Sequence, residues 1–142
     1  MKATILTGNI MSGKTTWVTN NHQNETIISC DNIRMELTGA PHKFDAFAIY
    51  NETRVWEIFD EQLKLESKNK EDIIIDNTNC NLLKFISLKN RLFNLGYDIE
   101  VRIIEEDIEV IKSRLKDYPH LILIAEKMDK GLEEVKEYLK DL

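Results

Sequence analysis

The sequence predicts an α/β fold, a parallel sheet flanked by helices on both faces. Three observations carry that prediction. Four short apolar runs alternate with segments of helical periodicity, and parallel strands joined this way require right-handed crossovers. The third run, Ile73-Ile74-Ile75, is apolar without alternation, as a strand buried on both faces must be. Directly after the first run stands Gly8-Asn9-Ile10-Met11-Ser12-Gly13-Lys14-Thr15, the pattern G-x-x-x-x-G-K-[ST] at a strand-to-helix turn.

Residues 2–7 are β-prone and end at Gly8, and after Lys14 no glycine or proline interrupts the chain until Gly39, so strand, turn and helix follow in order. Residues 26–29 form the second strand. Asp31 can cap a helix over 32–37, which Gly39-Ala40-Pro41 stops. Between 45 and 68, Phe47, Tyr50, Val55, Ile58, Phe59 and Leu63 recur at helical spacing with charges between them, giving one long amphipathic helix. Residues 72–75 are the third strand, 81–95 a helix ended by Gly96, and 99–104 the fourth strand. Two helices close the chain, 108–115 and 121–139, the latter interrupted at Gly131. No repeat, low-complexity tract or Pro/Gly/Ser-rich linker intervenes, so 1–142 reads as a single domain.

Composition bounds the function. The 142 residues are 42% hydrophobic, enough to bury a core without staples. Nineteen Lys and Arg against 25 Asp and Glu leave a net charge of -6, which excludes a protein that coats nucleic acid non-specifically; any such contact is local. Cys30 and Cys80 form neither a disulfide scaffold nor a zinc spacing, which suits a reducing compartment. The first apolar run is too short for a signal-peptide core and nothing later reaches a membrane span, so a cytoplasmic protein with no membrane partner is expected. Eighteen Ile and twelve Asn against five Ala fit an AT-rich genome of the kind many phages carry, which would make that the host cytoplasm. His22, His42 and His120 are isolated and read as surface residues, while Trp17 and Trp56 read as core residues more than as base-stacking platforms. Nothing marks an oligomeric state.

The glycine-rich match arises by chance in on the order of one chain in two hundred of this length. Its place between a strand and a helix makes it a phosphate loop, where successive backbone N–H groups and the helix dipole converge on an anion. Gly8 and Gly13 allow the turn and the close approach, and Ser12 and Thr16 flank the nucleotide-binding set. Lys14 reaches the β- and γ-phosphates of ATP as a mobile charge, and the Thr15 hydroxyl binds Mg²⁺. Asp76 closes the third strand, where a carboxylate holds the same metal directly or through water, although it could instead cap the next helix. Asn77, Thr78 and Asn79 are available for that cap. Asp31 and Arg34 follow the second strand, three apart and so on one helix face. Two readings stand for them: a base for an attacking hydroxyl beside a phosphate-forking arginine, or a helix cap with an i,i+3 ion pair.

Taken together, Gly8 to Thr15, Ser29-Cys30-Asp31-Asn32-Ile33-Arg34 and Ile75-Asp76-Asn77-Thr78-Asn79 resemble the polynucleotide kinase branch of the P-loop kinases, the phage T4-type 5′-hydroxyl kinase domain and its small relatives. The resemblance runs from residue 1 to about 116. It implies a P-loop NTPase/kinase-like sheet, ATP and Mg²⁺ on Lys14 and Thr15, Asp31 as general base for the 5′-hydroxyl of a DNA or RNA end, and Arg34 on the acceptor's phosphate. The segment 76–79 would line the acceptor and metal side. The chain departs from the family at Cys30, where an arginine or another polar residue is usual before the aspartate. It departs again in the lid, where Lys112-Ser113-Arg114-Leu115-Lys116 holds a single arginine in place of several. Arg114 is the lid candidate, with Lys112 and Lys116 as substitutes and a surface ion pair as the competing role. The family's separate 3′-phosphatase half has no room here, which implies a stand-alone kinase domain. The alternatives are a kinase for a nucleoside, nucleotide or modified base, and a nucleotide-binding protein without catalysis.

Overall fold

A computed structural model describes residues 1–43 and 52–142. Four strands, β1 (Lys2–Thr7), β2 (Thr26–Ile28), β3 (Ile73–Asp76) and β4 (Asp98–Ile103), pair in parallel in the order β2-β3-β1-β4. The helices are α1 (Lys14–Asn21), α2 (Cys30–Thr38), α3 (Glu52–Lys68), α4 (Leu82–Asn94), α5 (Ile108–Arg114) and α6 (Ile122–Lys140), with a 3₁₀ turn at Pro119–Leu121 before the last. Among the described residues no helix is long and apolar enough to cross a membrane.

The central strands are buried on both faces, with Ile73, Ile74 and Ile75 each at most 2% exposed. One face carries Ala3, Ile5, Ile28, Ile73 and Ile75 against α2, α3, α4 and the end of α6. Val55, Phe59 and Leu63 recur every four residues along α3 and point into that core, each contributing about 1.5–3 kcal/mol by leaving water. The other face is thinner: Leu6 and Ile74 meet Val18, with Trp17 and Ile27 partly covering them. A third cluster, Ile111, Leu115, Leu121 and Ala125, lies apart from the sheet and packs against Ile10 and Met11 of the glycine-rich turn.

Several expected boundaries shift for identifiable reasons. The cap of α2 is Ser29, whose hydroxyl accepts from the Asn32 N–H at 3.2 Å, so the helix starts two residues early and Asp31 lies inside its first turn. The cap of α4 is Asn81, which accepts from the Lys84 N–H, leaving Asp76 at the end of β3 and free of any capping duty. Residues 45–51 of the long amphipathic helix lie outside the described residues; Glu52–Lys68 is helical as expected. The predicted break at Gly131 is absent, because α6 runs unbroken through it. This glycine serves a close approach: a Cβ there would stand 1.8 Å from the Cys80 carbonyl oxygen, so α6 presses directly on the chain that follows β3.

Gly131→Ala therefore reverses the helix-propensity trend. In an exposed helix this change stabilises by about 1 kcal/mol; here it forces backbone apart and destabilises by about 1–3 kcal/mol. A shift of the urea midpoint to lower concentration checks it, and an unchanged or higher midpoint contradicts the contact.

Candidate functional site

All four strands are parallel, so their carboxyl ends lie at one edge, where open α/β sheets place ligands. The turn from β1 to α1 is fastened there from both sides. The Gly8 N–H donates to the Thr78 carbonyl at 2.9 Å, and a Cβ at Gly8 would meet the Ile104 carbonyl at 2.7 Å and the Ser12 hydroxyl at 2.8 Å. Gly8 is thus required by the convergence of three strand ends rather than by a left-handed turn. Gly13 is the left-handed residue, with φ 106° and open space beside its Cα.

Gly13 precedes α1 without a side-chain cap, and no acidic residue sits in the helix's first turn. The N–H groups of Lys14, Thr15 and Thr16 therefore lack intrahelical acceptors and present a positive dipole end. Ser12 is 6% exposed, yet its buried hydroxyl has no hydrogen-bond partner. The Lys14 ammonium donates to the carbonyls of Gly8 and Asn9 at 2.9 and 2.8 Å, folding back across the loop. Burial lowers its pKa to about 8, with Asp76 pulling it up and Lys43 pushing it down. Burial conversely raises the Asp76 carboxyl, against the pull of Lys14. Donors without acceptors, an orphaned hydroxyl and a desolvated ammonium fit a polyphosphate. Among the described residues no cluster of three or more His, Cys, Asp or Glu could hold a metal alone. The hard oxygens of Thr15 and Asp76 fit Mg²⁺ only with phosphate oxygens completing its shell.

Asp31 and Arg34 stand at the start of α2 and form an i,i+3 ion pair at 2.9 Å, one of the two arrangements left open for them by the sequence. Arg34 is 7% exposed, and it also forks onto Glu52 of α3, at 2.8 Å from Nε and 2.5 Å from Nη2. Burial works against its charge, and the Glu52 fork and the Asp31 carboxylate more than offset it, raising its pKa. Both Asp31 and Arg34 line a cavity of about 370 Å³ that reaches the glycine-rich loop at Ile10 and is walled on another side by Asn77 and Thr78. The Asn77 side-chain Oδ1 accepts from the Cys30 N–H at 2.8 Å, and its buried side-chain nitrogen Nδ2 has no partner.

The lid candidate lies elsewhere. Arg114 donates to the Met11 carbonyl at 2.8 Å and pairs with Glu106 at 3.1 Å, so it contacts the glycine-rich loop and does not line the cavity. Lys112 pairs with Glu109 and Glu126, and Lys116 is exposed. Thr16 is also exposed at the second position of α1 after Lys14.

Four further residues contribute beyond the predicted site set. Glu52 holds Arg34 from 18 residues away, and Lys43 lies close enough to Lys14 and Asp76 to shift both. Asn9, 2% exposed, donates from its side chain to the Ala125 carbonyl of α6 at 2.7 Å. Trp56 is 37% exposed and lines the cavity, against the core position expected of it. None of these carries a local motif, although Asn9 sits inside one.

Residues 4–120 match the model of the AAA domain family AAA_33. The chain belongs to this family. Its matched span contains the glycine-rich loop, Asp31, Arg34, Asp76 and Arg114, and ends before α6. Among solved structures, a chain of the Pnkp1/Rnl/Hen1 RNA repair complex superposes with a TM-score of 0.74 at 22% identity, over 96% of this chain and 45% of that one. A chain of the Pnkp1/Rnl/Hen1 complex in another structure gives 0.65 at 22%, over 80% and 38%. A chain of the PezAT toxin-antitoxin system of Streptococcus pneumoniae gives 0.72 at 20%, over 99% and 62%. The protein thus has the P-loop α/β fold, and it spans less than two thirds of each of these chains. No curated protein matches its sequence.

The depressed Lys14 sets a pH dependence. Below about 8 the ammonium is charged and attracts an anion; above it the free site holds a neutral amine that must take up a proton to do so. Nucleotide affinity should fall as pH rises through 8 to 9. Calorimetry in two buffers of different ionisation enthalpy should show proton uptake there, absent in Lys14→Ala; uptake of none in the parent protein contradicts the assignment.

Proposed function

We propose that the protein transfers the γ-phosphoryl group of ATP, with Mg²⁺, to the 5′-hydroxyl of an oligo- or polynucleotide. The carrying observation is the cavity wall shared by Asp31 and Arg34, in a cavity that reaches the glycine-rich loop at Ile10. Likeness to chains of an RNA repair complex supports a nucleic-acid end as acceptor, and the resemblance read from Ser29 to Arg34 and from Ile75 to Asn79 supports the same class.

MgATP supplies an electrophilic phosphorus and a leaving group whose charge the metal neutralises. The chain's residues do the rest by position and charge. Lys14 leaves its two carbonyl partners and donates to the β- and γ-phosphates, while the open N–H groups of α1 hold them. Thr15 and Asp76 offer oxygens to the metal. Asp31 accepts one hydrogen bond, from Arg34 on Oδ1. Its other oxygen takes the proton of the attacking hydroxyl as the new O–P bond forms and ADP departs. Arg34, fixed by Glu52, holds an acceptor phosphate in the same wall.

A second reading keeps the transfer and changes the acceptor to a nucleoside or nucleotide. The cavity favours it by its modest size and mixed lining, which suit one small molecule. Labelled γ-phosphate transfer to 5′-hydroxyl DNA and RNA oligonucleotides, nucleosides and nucleoside monophosphates decides between them. The first reading expects labelled oligonucleotide, lost in Lys14→Ala, and reduced about a hundredfold or more in kcat by Asp31→Asn with ATP binding retained. Product on small acceptors alone favours the second, and ATP binding without any product overturns both. Glu52→Gln should raise the acceptor KM severalfold and leave the KM for ATP unchanged, because it loosens Arg34 alone; a change in ATP KM would contradict that role.

A further inference from the structure

The cavity beside Asp31 has a half that phosphoryl transfer leaves unused. Past the Asp31–Arg34 pair its wall turns apolar, with Trp56 from α3, Ile10 from the loop, and Ile124 and Met128 from α6. Trp56 rests edge-on against buried Phe59, with ring centroids 5.1 Å apart and planes at 73°, and still keeps 37% of its surface accessible. An indole held on one side and open on the other, inside a cavity, is a stacking surface. Two exposed cations, Lys84 of α4 and Lys127 of α6, line the same cavity, so with Arg34 three positive charges face it against Asp31. An apolar wall with cations around it complements a nucleobase followed by phosphates. At about 370 Å³ the space lies at the small end of ligand sites, roughly 300–1,000 Å³, and takes one nucleoside-sized group. The α6 part of this wall falls outside residues 4–120, the span matched to the family.

We propose that Trp56 stacks on the base of the acceptor's terminal nucleotide, with Ile124 and Met128 completing the apolar wall and Lys84 and Lys127 taking the phosphates of the strand beyond it. This deepens the acceptor reading above and rests on it. Every base has a ring face, so the contact demands a base without selecting which one. The acceptor is thereby gripped at two points, a sugar–phosphate held by Arg34 and a base held by Trp56, which fixes the hydroxyl between Asp31 and the loop.

The test uses the full chain and its Trp56→Ala and Trp56→Phe variants, read by tryptophan fluorescence and by steady-state transfer. A 5′-hydroxyl oligonucleotide should quench the parent protein and leave Trp56→Phe, whose remaining indole is Trp17, unquenched. Trp56→Ala should raise the acceptor KM about tenfold or more, Trp56→Phe about twofold, and neither should move the KM for ATP. An oligonucleotide whose 5′-terminal nucleotide lacks its base should cost the parent as much as Trp56→Ala does, and should cost Trp56→Ala nothing further. An acceptor KM within twofold of the parent in Trp56→Ala, or an equal abasic penalty in both proteins, overturns the stacking role while the transfer reading stands. Quenching with no transfer to any acceptor supports the base contact and overturns the transfer reading.

Discussion

The parallel register of β1 and β3 is the constraint on which the site depends. Leu6 pairs with Asp76, so the chain enters the glycine-rich turn at the level where β3 presents its only carboxylate. Two hydrogen bonds lock that level. Gly8 donates to the Thr78 carbonyl, and the Asn79 side chain, on a residue with φ 52°, donates to the Leu6 carbonyl at 2.7 Å. On the far side of β3, Ile28 pairs with Ile75, and the Asn77 side chain accepts from the Cys30 N–H. Three strand ends are thereby stitched into one edge, which brings Lys14, Asp76 and Asp31 within electrostatic reach of one another. A one-residue slip would turn Asp76 to the other face of the sheet.

The loop is equally held from outside the sheet. Asn9 reaches α6, Arg114 reaches the Met11 carbonyl, and Ile10 and Met11 join the small core of α5 and α6. The helices that end the chain thus act as a buttress for the loop. The one arginine of the segment 112–116 donates to the loop backbone, and Lys43 lies close enough to Lys14 and Asp76 to shift both. Gly131 sets how closely α6 approaches, since any larger residue would push it off the Cys80 carbonyl that flanks the cavity.

Much of this was legible in the sequence, and what was not has physical reasons. The strands, the loop and the order of helices followed from periodicity and from glycine and proline punctuation. Asp31, Arg34 and Asp76 were placed by the rule that ligands gather at strand carboxyl ends, and the structure brings Asp31 and Arg34 together in one cavity wall. Gly131 was misread because a glycine in a helix looks the same whether it breaks the helix or admits a neighbour. Ser29 took the cap from Asp31 because both are good caps and the helix needed only one. Glu52 carries no signal because its contact with Arg34 spans 18 residues, which no short motif covers, and Trp56 reads as core because helical spacing sets it beside Phe59 without showing that its outer side stays open.

The central claim is a direct, in-line transfer from a loop-held nucleotide to an acceptor hydroxyl in the adjoining cavity, with Asp31 acting on the proton and never on phosphorus. Stereochemistry at phosphorus tests it most directly. ATP made chiral at the γ-phosphorus with oxygen isotopes should give product inverted at that atom, as a single displacement requires. Retention would mean that phosphate passes first to a group on the protein, and would contradict the role assigned to Asp31.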